Sequence, residues 1–283
     1  MPNPSDLFAG SSTTEEVRGR NGVAQFRRTW AADQPKANAL LLHGIDEHSG
    51  RYEHVGATLA AAGYSTRAID HHGHGRSGGI RAHVPSFDTF LDDVEDNMAE
   101  LRADGKPVVL MAHSMGGLIA FVYCVTQGRP PPDVLLLSGP ALGADSPKWQ
   151  TTLAPILGRL TPKLFIKNEF DGALLATDPD VGAAYVADPL RIEGATASLG
   201  FALFEAMKTA NENLSKLSIP TMVYHGGDDK IIAPRFTEPI GELAIASRQV
   251  LPGLAHEVLN EASWESTMQG YISFANGALG LTS

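Results

Sequence analysis

The sequence predicts an α/β fold in which helices cover both faces of a mostly parallel central sheet. Short apolar segments of strand length alternate with segments of helix length along most of the 283 residues, the pattern of parallel strands joined by helices. The apolar segments are typical of strands that are buried on both faces. One of them runs into an abrupt turn at Ser114 and then directly into a helix. These observations indicate one α/β domain, with or without an inserted subdomain.

The first elements in chain order form a predicted antiparallel hairpin. Residues 15–20 and 24–30 alternate in polarity, and the Asn21-Gly22 pair between them favours a tight turn. Later strands are expected over residues 38–42, 64–69, from 108 to the serine turn, 134–137, 221–225 and 248–251. Helices are predicted over residues 52–62, 87–102, from the serine turn to about 127, 235–246 and 263–276.

The alternation of strands and helices breaks between about residues 144 and 208. This stretch is helical, irregular and punctuated by prolines. We expect residues 1–143 and 209–283 to form the core, and residues 144–208 to form a helical cap inserted after the sixth strand. An ordinary surface excursion is the alternative, but it would leave uncovered a long set of apolar side chains, namely Leu153, Ile156, Leu157, Leu160, Leu164, Phe165 and Ile166.

Composition narrows the classes of partner. A formal net charge of −10 argues against binding to nucleic acid or electrostatic attraction to anionic lipid. The single cysteine, Cys124, excludes an intrachain disulfide and favours a reducing compartment. The sequence begins without a basic and apolar leader and has no run of some eighteen apolar residues. We therefore expect a cytoplasmic protein.

The serine turn has the features of a nucleophile elbow. In such a turn the side chains two residues before and two residues after the serine would collide unless they are small, and Ala112 and Gly116 meet this requirement. The turn strains the backbone of Ser114, lifts its hydroxyl clear of the sheet, and directs the next backbone N–H, that of Met115, into the same space. The pattern therefore predicts Ser114 as a nucleophile.

A serine nucleophile needs a base, and the base needs a carboxylate to orient it. Downstream of Ser114 the only histidines are His225 and His256. His225 ends a strand where the acid is expected and is interpreted as a packing residue, so His256 is predicted to be the base. Asp229 is favoured as the acid because it is the third residue after the glycine of a His-Gly pair. Asp228 remains the alternative.

The remaining polar candidates concern the oxyanion hole and a possible metal site. Met115 and Ile45, which follows His43-Gly44, are predicted to supply the two backbone donors of the hole. His71, His72 and His74 are separated by glycine and lack a spaced set of cysteines or carboxylates, so a tight turn is favoured over a metal site. No metal and no cofactor is predicted. His113 either packs or points a ring nitrogen at the leaving group.

Several motifs together resemble one enzyme family. They are His43-Gly44-Ile45-Asp46-Glu47-His48-Ser49-Gly50-Arg51-Tyr52, Asp70-His71-His72-Gly73-His74-Gly75-Arg76-Ser77, His113-Ser114-Met115-Gly116-Gly117, Ser138-Gly139-Pro140-Ala141-Leu142, and His256-Glu257 with Asn260-Glu261. In these residues the chain resembles the monoacylglycerol lipases, which are α/β-hydrolases also described as serine aminopeptidase-like or lysophospholipase-like. The resemblance extends from about residue 22 to about residue 274.

The resemblance implies an α/β-hydrolase fold with a cap over a hydrophobic acyl tunnel and a small polar pocket for glycerol. Ser114, Asp229 and His256 match the family's triad, and Ile45 and Met115 match its oxyanion donors. The positions that line the polar end are matched by Arg51, His113 and Tyr185. The chain departs from the family at Ala112, where a glycine is usual, and this change is expected to shift the elbow slightly.

The leading functional hypothesis is therefore a cofactor-free hydrolase of monoacylglycerols. A broader carboxylesterase or lysophospholipase with the same triad is the alternative, and a non-catalytic binding module on a hydrolase scaffold is the least favoured hypothesis. The partner is expected to be a lipid-like ester and not nucleic acid. The apolar composition of residues 153–166 further predicts transient contact of the cap with a membrane or micelle, as a peripheral association. The sequence gives no oligomeric state.

Overall fold

The computed structural model describes residues 3–145, 148–167 and 170–281. Within these ranges the strands are β1 (Thr13–Arg18), β2 (Ala24–Trp30), β3 (Ala37–Leu42), β4 (Tyr64–Ile69), β5 (Val108–His113), β6 (Val134–Ser138), β7 (Phe165–Lys167), β8 (Gly194–Thr196), β9 (Thr221–Gly226) and β10 (Ala246–Leu251). The helices are α1 (Glu53–Ala61), α2 (Asp88–Leu101), α3 (Ser114–Val125), α4 (Lys148–Leu160), α5 (Pro179–Ala187), α6 (Ala197–Glu212), α7 (Glu238–Gly241) and α8 (Trp264–Leu279). Short 3₁₀ turns cover Pro4–Phe8, Ser49–Tyr52, Arg102–Asp104, Gly172–Leu174, Leu214–Lys216 and Pro234–Thr237.

The central sheet has the strand order β1-β2-β4-β3-β5-β6-β9-β10. β2 pairs antiparallel with β1 and with β4, and the remaining pairs are parallel. The register places Leu42 opposite Ala112, and His113 opposite Ser138. Because parallel strands end at the same edge, the loops after β3, β5, β6 and β9 converge there. The predicted hairpin and the predicted mostly parallel sheet are confirmed.

The core consists of two apolar layers, one on each face of the sheet. Leu40 and Leu42 point into the layer covered by α2, α3 and α6, whereas Leu41 points into the layer covered by α1 and α8. This alternation follows from the two-residue period of a strand. Since both faces are covered, the central strands carry apolar residues at nearly every position, as the sequence predicts.

The predicted helix over residues 235–246 is wrong. The structure has a 3₁₀ turn at Pro234–Thr237 and the four-residue helix α7, and β10 already begins at Ala246. Pro239 lies in the middle of the predicted segment and cannot donate a backbone hydrogen bond to the preceding turn. Gly241 further disfavours helix, and Ala246 pairs with Thr221 of β9 instead.

The segment between β6 and β9 supplies α4, β7, α5, β8 and α6, with β7 and β8 paired antiparallel in a separate small sheet. The expectation that its apolar side chains are covered is wrong for Ile156, Leu160, Leu164, Phe165 and Ile166, which are all exposed. Leu157 is half-buried, and the side chain of Leu153 lies outside the described residues. In the described part of the chain, no helix is both long enough and apolar enough to cross a bilayer.

Candidate active site

Ser114 lies between β5 and α3 in the left-handed backbone region, with φ of 51°. A non-glycine residue there is strained, and such strain is typical of a nucleophile held on a sharp turn. A Cβ atom on Gly116 would lie 2.5 Å from the carbonyl oxygen of His43 and 2.6 Å from that of Leu42. The close approach of α3 to the end of β3 therefore requires glycine at position 116. Ala112 is fully buried within β5.

The structure brings together Ser114 at the start of α3, Asp229 in the loop after β9 and His256 in the loop after β10. The Nε2 atom of His256 lies 2.9 Å from Ser114 Oγ, and its Nδ1 atom lies 2.6 Å from Asp229 Oδ2. A carboxylate can only accept, so Nδ1 carries the ring proton and donates it to Asp229. Nε2 is then free to accept the proton of the serine hydroxyl. All three side chains are buried.

Asp229 is the carboxylate that contacts the imidazole of His256. Asp229 Oδ1 accepts the backbone N–H groups of Ile231 and Ile232, both at 2.9 Å. Burial raises the pKa of Asp229, but hydrogen bonds from His225 and His256 outweigh it and hold the pKa well below its usual value. Asp228 is exposed, whereas Asp229 is buried against the imidazole.

His225 was predicted to be a packing residue, and it is fully buried. It also contacts the acid, because its Nε2 atom lies 3.1 Å from Asp229 Oδ2 and 2.8 Å from the carbonyl oxygen of Ile232. A carbonyl oxygen only accepts, so His225 Nε2 carries a proton and supports the negative charge of Asp229. The sequence signal for this contact is the His-Gly pair that ends β9.

A narrow pocket lies over Ser114. Three lining residues, Phe170, Leu175 and Tyr185, come from the segment between β6 and β9. The other residues on the pocket wall are Gly44, Ile45, Glu47, His113, Ile231, His256 and Glu257. It encloses about 20 Å³, which is room for about one water molecule. A Cβ atom on Gly44 would lie 3.2 Å from Ser114 Cβ, so the loop that carries Ile45 lies directly against the serine. Met115 occupies the first turn of α3, also beside the serine.

Two carboxylates at the polar end of the pocket share one guanidinium. Arg51 donates to Glu47 at 2.7 Å and to both oxygens of Glu257 at 2.5 and 2.8 Å. Burial opposes ionisation of Glu257, but Arg51 holds its pKa at about 2. Burial raises the pKa of Glu47 in spite of Arg51. Arg51 thus stabilises the carboxylate of Glu257 through two hydrogen bonds and that of Glu47 through one.

The family resemblance predicts Arg51 at the polar end but gives no role to the two glutamates. The structure places Glu47 and Glu257 on the pocket wall, whereas Arg51 lies behind them. The signal was present in the sequence, since both glutamates belong to the motifs that carry the family resemblance.

His113 and Tyr185 both line the pocket. The Nδ1 atom of His113 lies 3.1 Å from the carbonyl oxygen of Ser138, and its ring centroid lies 4.7 Å from that of His256. Burial, together with the neighbouring His256, lowers the pKa of His113 to about 3, so its ring is neutral. The ring of Tyr185 lies 5.0 Å from the guanidinium of Arg51, and burial raises the pKa of its hydroxyl.

The histidine-rich segment after β4 forms a tight turn. Gly73 and Gly75 have φ of 72° and 49°, and a Cβ atom on Gly75 would lie 2.1 Å from Asp70 Oδ2. The Asp70 carboxylate accepts the backbone N–H groups of Ser49 and Arg76 at 2.8 and 2.7 Å. Within residues 3–145, 148–167 and 170–281, no three His, Cys, Asp or Glu side chains are grouped to hold a metal ion.

Comparison with known proteins identifies the family. Residues 33–263 match the family model described as serine aminopeptidase, S33. The chain is 36% identical to a monoacylglycerol lipase of Mycolicibacterium smegmatis over 267 residues, which cover 89% of this chain and 93% of that protein. It is 30% identical to the monoglyceride lipase of Homo sapiens over 239 residues, which cover 82% of this chain and 78% of that protein.

Solved structures show the same fold. A monoacylglycerol lipase of Paleococcus ferrophilus superposes with a TM-score of 0.83 at 28% identity, covering 90% of this chain and 99% of that one. A second match is a soluble variant of the monoglyceride lipase of Saccharomyces cerevisiae in complex with a substrate analog. It superposes with a TM-score of 0.86 at 20% identity, and the match covers 100% of both chains. The predicted α/β-hydrolase fold is thus confirmed, and the chain belongs to the monoacylglycerol lipase family of α/β-hydrolases, within the serine aminopeptidase S33 group.

Proposed function

We propose that this protein hydrolyses monoacylglycerols to a free fatty acid and glycerol through an acyl-enzyme. The observation that carries the proposal is the continuous contact from Ser114 Oγ through the ring of His256 to Asp229. Contacts of this kind, with a buried carboxylate behind the imidazole, make a serine hydroxyl nucleophilic. The monoacylglycerol lipase that is 36% identical to this chain supports the choice of substrate.

The reaction follows from the protonation states. Ser114 Oγ attacks the ester carbonyl carbon while its proton passes to His256 Nε2, and the imidazolium that forms is stabilised by Asp229. The tetrahedral intermediate collapses as the C–O bond to glycerol breaks, and His256 returns the proton to the departing glycerol oxygen. Water then repeats the same two steps on the acyl-enzyme, which releases the fatty acid and restores the serine.

The negative charge of the tetrahedral intermediate needs donors that are already in place. Ile45 and Met115 supply these through their backbone N–H groups, and the N-terminus of α3 favours negative charge at the same point. In comparable enzymes the loss of one such donor lowers kcat by about 10²- to 10³-fold.

The glycerol group occupies the polar end of the pocket. Its hydroxyls find acceptors and donors in Glu47, Glu257 and Tyr185, which line the pocket next to Ser114, and His113 lies on the same wall. Arg51 acts from behind by holding both glutamates in place. An arrangement with fixed hydrogen-bonding groups favours a polyol leaving group over an apolar one.

The acyl chain requires the segment between β6 and β9 to move. A space of about 20 Å³ over the serine is far below the several hundred Å³ typical of ligand sites. Residues 144–208 therefore act as a cap on the core of residues 1–143 and 209–283, and its residues Phe170 and Leu175 withdraw to admit the chain. A broader carboxylesterase activity is the second candidate, because the ester of a short acid needs a smaller movement of this segment to enter the pocket.

The exposed apolar residues of the cap make transient contact with a membrane or micelle. Ile156, Leu160, Leu164, Phe165 and Ile166 are each 44% to 77% exposed, and exposed apolar side chains concentrated in one segment are typical of an interaction site. Flotation with liposomes tests this contact. Binding that is unchanged when Leu160 and Phe165 are replaced by aspartate would refute it.

Rates of hydrolysis test the activity. We expect the wild type to cleave monoacylglycerol faster than triacylglycerol, lysophospholipid or a p-nitrophenyl ester, and a Ser114→Ala variant to be inactive. A preference of about tenfold or more for the soluble short ester would favour the broader esterase. A fluorophosphonate probe should label the wild type but not the variant, whereas a folded wild type that stays unlabelled would indicate a non-catalytic module.

A further inference from the structure

The first residue after β3, His43, touches the loop that leads to Ile45. Its side chain is 1% exposed and makes two hydrogen bonds within the core. The Nδ1 atom lies 2.7 Å from the carbonyl oxygen of Gly44, and the Nε2 atom lies 3.0 Å from the backbone nitrogen of His71. Neither contact involves substrate or the proposed triad.

These two contacts leave only one protonation state for the ring. The backbone N–H of His71 can only donate, so Nε2 must be unprotonated. The carbonyl oxygen of Gly44 can only accept, so Nδ1 must carry the proton. Burial and the neighbouring rings of His71 and His74 lower the pKa of His43 well below its usual value. The ring is therefore neutral at neutral pH.

The carbonyl of Gly44 belongs to the same peptide unit as the N–H of Ile45. Such a unit is planar and trans, so its C=O and N–H point in opposite directions. Since His43 holds the carbonyl on the core side, the N–H of Ile45 is directed to the other side, where Gly44, Ile45 and Ser114 line the pocket.

We propose that His43 is a positioning residue: its Nδ1–H fixes the Gly44–Ile45 peptide so that the Ile45 N–H meets the oxyanion. This inference rests on the proposed function, because it takes Ile45 as an oxyanion donor. Glu47 supports the same loop by accepting the N–H of Gly44 at 2.5 Å. With both ends of Gly44 held, the donor needs no reorganisation when the negative charge develops.

Two substitutions separate the two ring nitrogens. In His43→Asn the amide nitrogen takes the place of Nδ1 and can still donate to the Gly44 carbonyl, although the contact with His71 is lost. In His43→Gln the amide oxygen takes the place of Nε2 and can accept from His71, although the contact with Gly44 is lost. A His74→Gln variant is the control, since His74 is equally buried, packs 5.8 Å from the ring of His43 and bonds the carbonyl of His72 instead.

The readouts are kcat and KM on the best substrate of the wild type, and the inhibition constants of two analogues. An alkyl trifluoromethyl ketone forms a hemiketal with Ser114 and places an oxyanion in the hole, whereas an alkyl ether of glycerol mimics only bound substrate. We expect His43→Gln to lower kcat by about 10- to 100-fold and to raise the inhibition constant of the ketone by a similar factor. KM and the inhibition constant of the ether should change by about twofold or less. His43→Asn should recover activity to within about fivefold of the wild type, and the control should keep wild-type kcat.

Any of three results would overturn the inference while the proposed function stands. The His43→Gln variant could keep the kcat of the wild type, or His43→Asn could lose as much kcat as His43→Gln. The third result is that His43→Gln binds the ketone and the ether more weakly by the same factor. A wild type that hydrolyses no ester and resists the fluorophosphonate would instead overturn both the proposed function and this inference.

A measurement on the wild type covers the case in which the variants do not fold. With ¹⁵N-labelled histidine, NMR should show His43 protonated at Nδ1 and unprotonated at Nε2. Formation of the ketone hemiketal should shift the Nδ1 proton, because an Ile45 N–H that donates to an anion makes the Gly44 carbonyl a stronger acceptor. Protonation at Nε2, or a resonance that does not respond to the hemiketal, would refute the positioning role.

Discussion

Replacing Asp46 by asparagine is expected to stabilise the protein in alkaline solution far more than in acid. Asp46 has φ of 60°, a backbone region that aspartate and asparagine tolerate better than other non-glycine residues. Its side chain is 1% exposed, and Oδ1 has no hydrogen-bond partner within the described residues. Burial therefore raises the pKa of Asp46 from 3.8 to about 8, against the opposing charge of Arg191.

The size of the effect follows from this shift. Because the folded state holds the proton up to about pH 8 and the unfolded state releases it near pH 3.8, Asp46 contributes stability only in acid. That contribution is lost as the pH rises between these two values, at about 1.4 kcal/mol per pH unit. Between about pH 5 and about pH 8 the free energy of unfolding should fall by about 3–4 kcal/mol through this group alone. Asparagine cannot ionise, so the variant lacks this loss.

The assay is equilibrium unfolding in urea at several pH values, with tryptophan fluorescence as the signal. Other buried acids also titrate, for example Asp93, whose pKa burial raises to about 7. Their effects cancel in the difference between the variant and the wild type. This difference should grow steadily from about pH 5 to about pH 8 and then level off. A difference that is flat over this range would refute the assignment of a buried, protonated Asp46.

Three further predictions concern the triad, the elbow and the shared guanidinium. Asp229→Asn should lower kcat by about 10⁴-fold, while Asp228→Asn stays within about threefold; a reversed result in steady-state kinetics would move the acid to position 228. Gly116→Ala should reduce the free energy of unfolding by about 1–3 kcal/mol, because the new methyl meets backbone at 2.5 Å; an unchanged urea midpoint would contradict this. Arg51→Met should cost about 3–5 kcal/mol by leaving buried carboxylates unpaired, a loss that calorimetry would detect as a lower Tm.

The central strands were predictable because burial on both faces leaves a direct trace in sequence. In β3 and β5 every residue is buried, and a nearly continuous apolar run of this length is typical of a strand inside a parallel sheet. The failures have local causes. The apolar spacing that predicts a helix over residues 235–246 continues through Pro239. Proline has no backbone N–H to donate to the preceding turn, so a helix does not extend across it in spite of this spacing. The apolar residues between β6 and β9 that were expected to be covered remain exposed among the described residues, because an apolar pattern in sequence does not say which surface the residues contact.

The sequence predicts which residues react at the candidate site, but it does not predict which charged side chains pair there or how burial shifts their pKa values. Ser114, Asp229 and His256 follow from chain order and from the strand ends on which they lie. The pairing of Arg51 with Glu257 joins residues 206 positions apart, and no local pattern reports such a distance. The pKa of Asp46 likewise depends on burial by segments far along the chain.

The Arg51–Glu257 pair also has a consequence for biosynthesis. A ribosome that adds about 5–20 residues per second needs roughly 10–40 s to travel the 206 residues between these partners. Within that interval Ser114 is added first, and a further 142 residues follow before the imidazole of His256 is made. Glu257, the anion that secures the neighbouring loop, comes directly after it. The three groups of the proposed triad therefore exist together only after residue 256 has been added, and hydrolysis cannot begin before that point of translation.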